Sequence, residues 1–217
     1  MDSHIVVRDI SKKYGEQIVL DHISVEFHAG NIYCITGKNG TGKTVFLKCL
    51  CGLSTCTEGT ILINGKPLRP ATSLSGIMGV LIERPGFLPN YSAFQNLCYL
   101  ASLTHKPDKA VIQSAIHRLG LNPHDPKRVR LYSLGMKQRL GIAQAIMEDA
   151  PIVILDEPLN GLDKSGEADI CNLLQSLKKQ RKIVILAMHL NKDHANLCDQ
   201  IYAIDSGKLR SISVGNS

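Results

Sequence analysis

The sequence has 217 residues, of which 44% are hydrophobic and 20% are charged. A chain of this length can bury the core of one domain, and its composition argues against a disordered chain. No apolar run approaches the ~18 residues of a spanning helix, and the first residues lack a signal-peptide pattern. We therefore expect a soluble, intracellular protein.

The formal net charge is +6, and the chain contains seven cysteines. The lysines and arginines are scattered rather than gathered in a block, so we expect no nucleic-acid partner. The cysteines form neither a C-x-x-C pair nor a small disulfide framework, and their odd number favours reduced thiols that mostly fill the core.

Short apolar runs alternate with helical patterns along the chain, which is typical of an α/β sheet domain. The first two runs, residues 5–10 and 18–27, predict antiparallel strands joined by a turn at residues 13–16. The elements predicted next are strands at 32–36, 60–63 and 80–82 and a helix at 43–51.

Residues 92–148 have a mostly helical pattern, in which Val111, Ile112, Ala115, Ile116 and Leu119 share one helical face. The elements predicted after this insert are strands at 152–155, 183–187 and 201–204 and helices at 164–179 and 191–198. We predict one domain, residues 1–217, with a core lobe at about 1–83 and 150–217 and a helical lobe at about 84–149.

Residues 37–44 fit the pattern G-x-x-x-x-G-K-S/T between a predicted strand and a predicted helix. Glycines let backbone N–H groups turn toward phosphate oxygens, while Lys43 neutralises charge and acts in catalysis, and Thr44 ligates Mg²⁺. The alternative is a glycine-rich turn, which the eight-residue pattern and its context disfavour. The residues predicted to bind the phosphates are Gly37, Lys38, Asn39, Gly40, Thr41, Gly42, Lys43 and Thr44.

A second motif is the apolar strand that ends in Asp156 and Glu157. Ligands of an open α/β sheet gather at the carboxyl ends of its strands. We predict that Asp156 holds Mg²⁺ through water and that Glu157 orients or deprotonates the attacking water. The alternative is a pair of helix-capping acids before Pro158.

The order of these motifs resembles the nucleotide-binding domain of the ATP-binding cassette (ABC) transporter family over nearly the whole chain. In that family a serine-glycine signature opens a helix in the helical lobe, and residues 132–139 at that place read YSLGMKQR. Without the family, this stretch is only a helix for which Ser133 is a good N-cap. The resemblance implies a P-loop NTPase core, a mixed sheet flanked by helices, with an N-terminal antiparallel β subdomain and an inserted helical subdomain.

The resemblance also implies roles for single residues. Tyr14 resembles the aromatic that stacks on adenine, although a tyrosine in a turn is more often only exposed. Ser133 and Gly135 would bind the γ-phosphate of an ATP molecule that a second subunit holds. Residues 159–163 would touch that second subunit. His189 resembles the histidine that contacts the γ-phosphate; the alternative is a solvated or structural histidine. We expect no structural metal, because no cysteine flanks the histidines at 189 and 194.

Three positions depart from the commonest family pattern. Leu134 and Met136 replace the first glycine of the pair and the glutamine in the signature L-S-G-G-Q. Glu83 stands where the family usually has a glutamine that senses Mg²⁺, and because a carboxylate still ligates Mg²⁺ we add Glu83 to Thr44 and Asp156 as metal ligands. With residues 81–90, these departures resemble the bacitracin and lantibiotic export or immunity branch.

The resemblance implies an ATPase with ATP and Mg²⁺ as cofactors, which powers export of an antibiotic or peptide by a separate membrane-spanning subunit. The permease would dock near residues 83–90, at the cytoplasmic face of the membrane, and a homodimer is favoured over a heterodimer. The alternatives are an ATP-dependent regulatory or immunity module, a soluble ABC ATPase acting on DNA or ribosomes, and a small P-loop kinase or GTPase. A soluble ABC ATPase usually carries a coiled-coil insertion or a second cassette, and 217 residues leave no room for either. A P-loop kinase or GTPase would need an acceptor-binding lid or an N-K-x-D motif, and neither is evident in the sequence.

Overall fold

The computed structural model describes residues 3–69, 74–83, 85–103, 108–189, 194 and 196–212. The strands are β1 (His4–Tyr14), β2 (Gln17–His28), β3 (Asn31–Thr36), β4 (Glu58–Ile63), β5 (Lys66–Pro67), β6 (Met78–Leu81), β7 (Ile152–Asp156), β8 (Ile183–Ala187), β9 (Gln200–Asp205) and β10 (Lys208–Ile212). The helices are α1 (Lys43–Leu50), α2 (Ala93–Ser102), α3 (Lys109–Arg118), α4 (Leu134–Ile146) and α5 (Lys164–Lys179), with a 3₁₀ turn at Val129–Leu131.

Among the described residues the strands form two sheets. One is antiparallel, in the order β2-β1-β4-β5, and the other has the order β10-β9-β3-β8-β7-β6. In the second sheet all neighbours are parallel except β10, which pairs antiparallel with β9 at the edge. The mixed sheet and the antiparallel N-terminal sheet confirm the predicted fold class.

β8 is apolar throughout and β7 is apolar except for Asp156 at its end, because both faces of the mixed sheet are covered. On β7, Ile152 and Ile154 pack into a core shared with α1 and the antiparallel sheet. The alternate residues Val153 and Leu155 pack into a second core shared with α2 to α5. The mixed sheet therefore separates two hydrophobic cores. Helices α2 to α5 pack on one face of the sheet, and α1 and the antiparallel sheet pack on the other.

Most predicted elements are confirmed, and α5 has the predicted bounds. Val111 is exposed on α3, whereas the other four residues of the predicted face are buried. The strands β5 and β10 were not predicted, because β5 has two residues and the mostly exposed β10 is held by pairing with β9. The predicted helix at 191–198 falls largely outside the described residues, and the lobe boundaries stay a prediction.

In the part of the chain that the structure describes, none of the helices combines the length and the apolar character that crossing a membrane requires.

Replacement of Gly79 by alanine should destabilise the fold strongly. A Cβ at Gly79 would lie 1.7 Å from the carbonyl oxygen of Ala145 on α4, and neither backbone can move without unpacking helix from sheet. We expect a loss of ~3 kcal/mol in the free energy of unfolding, measured by urea titration. Gly86→Ala is the matched control, since its Cβ would meet no atom within 4 Å. Equal stability of the two variants would contradict the packing described here.

Candidate active site

The predicted site residues follow the carboxyl ends of four adjacent parallel strands. Cys34, Leu186, Leu155 and Leu81 pair with one another across β3, β8, β7 and β6, so these strands end at the same edge of the sheet. The residues that follow at this edge are residues 37–44 after β3, His189 after β8, Asp156 and Glu157 at the end of β7, and Glu83 after β6.

The loop at residues 37–42 depends on its glycines. A Cβ at Gly37 would lie 2.5 Å from the carbonyl oxygen of Ile204, and Gly40 and Gly42 have left-handed φ angles of 79° and 105°. Gly42 is the N-cap of α1, where no side chain caps the helix. The first amides of α1 are thus not engaged by a capping side chain and are suited to an anion.

Lys43 is buried under this loop. Its Nζ donates hydrogen bonds of 2.8 Å and 3.2 Å to the carbonyl oxygens of Gly37 and Lys38. The hydroxyl of Thr41 donates to the same Lys38 oxygen at 2.9 Å. These bonds fix the loop and place a cation beneath the exposed N–H groups.

Thr44 and Asp156 lie side by side, although 112 positions separate them in the sequence. The Thr44 hydroxyl donates to the Asp156 carboxylate at 2.8 Å. Burial raises the pKa of Asp156, while the Thr44 hydrogen bond and the charge of Lys43 act in the opposite direction. A hydroxyl and a carboxylate beside a phosphate loop form a donor set that fits Mg²⁺.

Glu157 is held in an unusual backbone conformation directly after β7. Its φ is 49°, its N–H donates to the carbonyl oxygen of Ala187 at 2.7 Å, and its own carbonyl accepts a 3.0 Å hydrogen bond from Gln138 on α4. Burial raises the pKa of Glu157, and the charges of His189 and Lys43 oppose this. The backbone of Glu157 is thus fixed by β8 and by α4, and its half-buried carboxylate is more basic than an exposed one.

His189 connects the phosphate loop with Glu157. Its Nε2 lies 3.0 Å from Oδ1 of Asn39 and 3.6 Å from Oε1 of Glu157. The imidazole therefore contacts a loop residue on one side and the Glu157 carboxylate on the other.

The carboxylate of Glu83 forms an ion pair with Lys48 on α1, with 2.5 Å between Oε1 and Nζ. Glu83 also has a left-handed φ of 61°. The sequence predicts an additional negative charge beside ATP, whereas the structure pairs that charge with a cation. Direct ligation of Mg²⁺ by Glu83 stays a prediction.

Tyr14, Ser133 and Gly135 lie outside this edge cluster. The Tyr14 ring is 52% exposed at the end of β1, and Nζ of Lys12 lies 4.8 Å from the ring centroid. Ser133 caps α4 as predicted, with its hydroxyl accepting from the N–H of Met136 at 3.2 Å. Within the described residues no hydrogen bond joins Ser133 or Gly135 to residues 37–44.

Leu134, which replaces a glycine of the usual signature, covers Gly161. A Cβ at Gly161 would lie 2.7 Å from the Leu134 side chain, and one at Gly135 would lie 2.9 Å from the carbonyl oxygen of Gly161. The start of α4 and the loop at residues 159–163 therefore form one packed surface, on which the Leu134 side chain is 59% exposed.

Residues 20–160 match the model of the family described as "ABC transporter". The chain belongs to the ABC transporter family.

Among curated relatives of this ABC protein, the uncharacterised ABC transporter ATP-binding protein YybJ of Bacillus subtilis is 40% identical, with 95% of each chain covered. The bacitracin transport ATP-binding protein BcrA of Bacillus licheniformis is 37% identical over 96% of this chain and 69% of its own. The lantibiotic transport ATP-binding protein SrtF of Streptococcus pyogenes is 30% identical over 94% of this chain and 87% of its own. The resemblance to the bacitracin and lantibiotic branch is thereby confirmed.

A solved structure with the same fold is the dimeric form of the bacterial ABC transporter cassette MJ0796. Its TM-score is 0.87 at 20% identity, and 98% of this chain and 100% of that chain are covered. The predicted P-loop NTPase fold is confirmed. The protein is the ATP-binding, ATP-hydrolysing subunit of an ABC transporter.

Three contacts of the ABC site were not predicted: Asn39 with His189, Gln138 with the Glu157 carbonyl, and Lys48 with Glu83. The partners lie 150, 19 and 35 positions apart, and no spacing rule links them. The only signal in the sequence is indirect, since a carboxylate at position 83 in place of an amide calls for a nearby cation.

Asp156→Asn should stabilise the protein at neutral pH in the absence of nucleotide and divalent cations. Because the folded state raises the pKa of Asp156, the ionised carboxylate costs stability. This cost is absent below the ordinary carboxyl pKa, where both states are protonated, and grows as pH rises through the raised pKa. We expect a gain of roughly 1 kcal/mol at pH 7.5 that shrinks toward pH 4. Urea titrations at both pH values measure it, and a destabilised variant at pH 7.5 would contradict the burial argument.

Proposed function

We propose that this ABC ATPase binds Mg-ATP at residues 37–44, hydrolyses it with Glu157 and His189, and thereby powers export of an antibiotic or peptide by a separate membrane subunit. The observation that carries the proposal is the 2.8 Å contact between Thr44 and Asp156, with Glu157 and Lys43 beside it. The names of the bacitracin and lantibiotic relatives support the cargo class.

The groups that would bind the phosphates form hydrogen bonds with one another when no nucleotide is present. Lys43 exchanges its bonds to the carbonyl oxygens of Gly37 and Lys38 for bonds to phosphate oxygens, while the N–H groups of the loop and of α1 surround the phosphates. The adenine stacks on the exposed ring of Tyr14. Thr44 and Asp156 would hold Mg²⁺, with Glu83 as a further ligand. Bound Mg²⁺ would neutralise the charge that develops on the phosphates.

Hydrolysis requires a water aligned with the γ-phosphate and an acceptor for its proton. Glu157 is suited to this because burial makes its carboxylate more basic, and the bond from Gln138 fixes its backbone. His189 positions Glu157 relative to the loop through Asn39 and offers its imidazole to the γ-phosphate. We assign catalysis to Glu157, His189 and Lys43.

The complete site requires a second subunit. Among the described residues no hydrogen bond joins Ser133 or Gly135 to residues 37–44 of their own chain, and Ser133 is exposed beside the exposed Leu134. The MJ0796 cassette is dimeric, which supports a head-to-tail pair in which ATP lies between the loop of one subunit and Ser133 of the other. We propose a homodimer that closes when ATP binds and reopens after hydrolysis.

The membrane subunit docks where the segment after Glu83 meets α4. A groove of about 270 Å³ lies between them, with Phe87 in its wall; the other lining residues are Pro85, Pro89, Val129, Arg130, Leu134, Lys137 and Gln138. Because this groove adjoins Glu83 and contains Gln138, movement of a docked partner would reach both Asp156 and Glu157. We therefore propose that the subunit lies at the cytoplasmic face of the membrane, with lobes that divide at about residue 84 and residue 149.

Glu157→Gln should abolish turnover without loss of ATP binding. The amide is isosteric but cannot accept the water proton, so we expect kcat to fall at least ~100-fold. Light scattering should show an ATP-dependent dimer that persists, because the bridging nucleotide is no longer cleaved. Glu26→Gln, the same change at an exposed position on β2, should leave turnover unchanged. Full turnover in Glu157→Gln would overturn the catalytic assignment, and binding without dimerisation or turnover in the native chain would favour a regulatory module.

Lys48→Gln should weaken ATP binding about threefold, because it leaves the Glu83 carboxylate uncompensated beside the phosphates, at a partly exposed position where such effects are small. Adding Glu83→Gln in the same chain should restore the affinity, measured by titration calorimetry. Lys178→Gln is the matched control, since Lys178 has the same 31% side-chain exposure and pairs with Asp199 away from the site. No rescue in the double variant would disprove the compensation.

A further inference from the structure

Two cysteines lie close to each other near the C-terminal end of α1, the helix that follows the loop at residues 37–42. Cys49 lies in the last turn of α1 and is 1% exposed, and Cys56 is half-buried in the connection from α1 to β4. The two cysteines are neighbours, and both line a cavity of about 230 Å³. Both thiols therefore border the same space, which a small molecule can enter.

The surroundings make the two thiols chemically different. The interaction with Cys49 and the charge of Lys12 lower the pKa of Cys56 to about 7, against the effect of burial. Lys12 is fixed beside the pair by a 2.7 Å hydrogen bond from Nζ to the carbonyl oxygen of Thr55. The Cys49 thiol has a raised pKa and stays protonated. Cys56 is thus partly ionised to a thiolate near neutral pH, and Cys49 is a neutral thiol close to it.

The other cysteines do not share this arrangement. Cys34 interacts with Cys198, but Cys34 is fully buried, and this contact and burial raise its pKa. The thiol of Cys51 donates to the carbonyl oxygen of Lys48 at 3.5 Å, and burial raises its pKa. A pair that combines a thiolate, a resolving thiol and an open cavity is found, among the described residues, only at Cys49 and Cys56.

We propose that Cys49 and Cys56 form a redox-responsive dithiol that a hydroperoxide converts reversibly into an intramolecular disulfide. The Cys56 thiolate attacks the outer peroxide oxygen, the O–O bond breaks, and the alcohol leaves with a proton, which gives a sulfenic acid at Cys56. The Cys49 sulfur then attacks the Cys56 sulfur, the S–O bond breaks, and water leaves with the Cys49 proton. One hydroperoxide is reduced by two electrons, and two thiols are oxidised.

The disulfide would join the end of α1 to the entry of β4, and so fix the helix of the phosphate loop to the antiparallel sheet. Lys12 extends the connection, because its Nζ also lies over the ring of Tyr14. The modification site is thus adjacent to the nucleotide site without including any of its predicted residues.

The test treats the full chain with hydrogen peroxide, counts free thiols and maps the bond by tandem mass spectrometry after alkylation. We expect the native protein to fall from seven thiols to five, with a bond between positions 49 and 56 that dithiothreitol reverses. Cys49→Ser should lose one thiol to a sulfenic acid, and Cys56→Ser should lose none.

Cys51→Ser is the matched control, since it removes a neighbouring thiol of the same segment and should still form the bond. A bond that uses Cys51, or seven intact thiols in the native chain at a peroxide dose that fully oxidises free glutathione, would overturn the proposal. Mapping in the native chain needs no variant, so a variant that fails to fold does not affect the result.

Discussion

The parallel register of β3, β8, β7 and β6 is the constraint on which the site depends. Residues far apart in the chain share one sheet edge only because these strands pair in step, with Leu155 opposite both Leu81 and Leu186. Burial on both faces fixes that register, since a shift by one residue would exchange the residues of the two cores. The stability of the two cores and the geometry of the site therefore both depend on the register of these strands.

Charge compensation is the second constraint at this edge. Three carboxylates gather there, and each has a partner: Asp156 accepts from Thr44, Glu157 contacts His189, and Glu83 pairs with Lys48. Desolvation still raises the pKa of Asp156 and of Glu157. The binding of a proton or another cation to these carboxylates is therefore favoured. This electrostatic environment supports the proposed roles of these carboxylates in Mg²⁺ binding and proton transfer.

The helical lobe contributes to the site through a few contacts rather than through catalytic groups. Gln138 on α4 holds the Glu157 backbone, and Leu134 at the start of α4 packs over Gly161. Rotation of α4 would therefore move Glu157 and the loop after it together. The substitution of leucine for glycine in the signature adds apolar contact to this link, and it leaves the backbone N–H of Gly135 in place.

The sequence by itself determined the phosphate loop, the strand that ends in Asp156 and Glu157, and the bounds of α5, because local periodicity and contiguous motifs encode them. It did not determine β5 or β10, which exist through pairing with a neighbour rather than through an apolar pattern. Only the tertiary structure decided that Lys48 compensates Glu83 and that Asn39 orients His189. Such contacts follow from how strands and helices pack, and spacing along the chain carries no information about them.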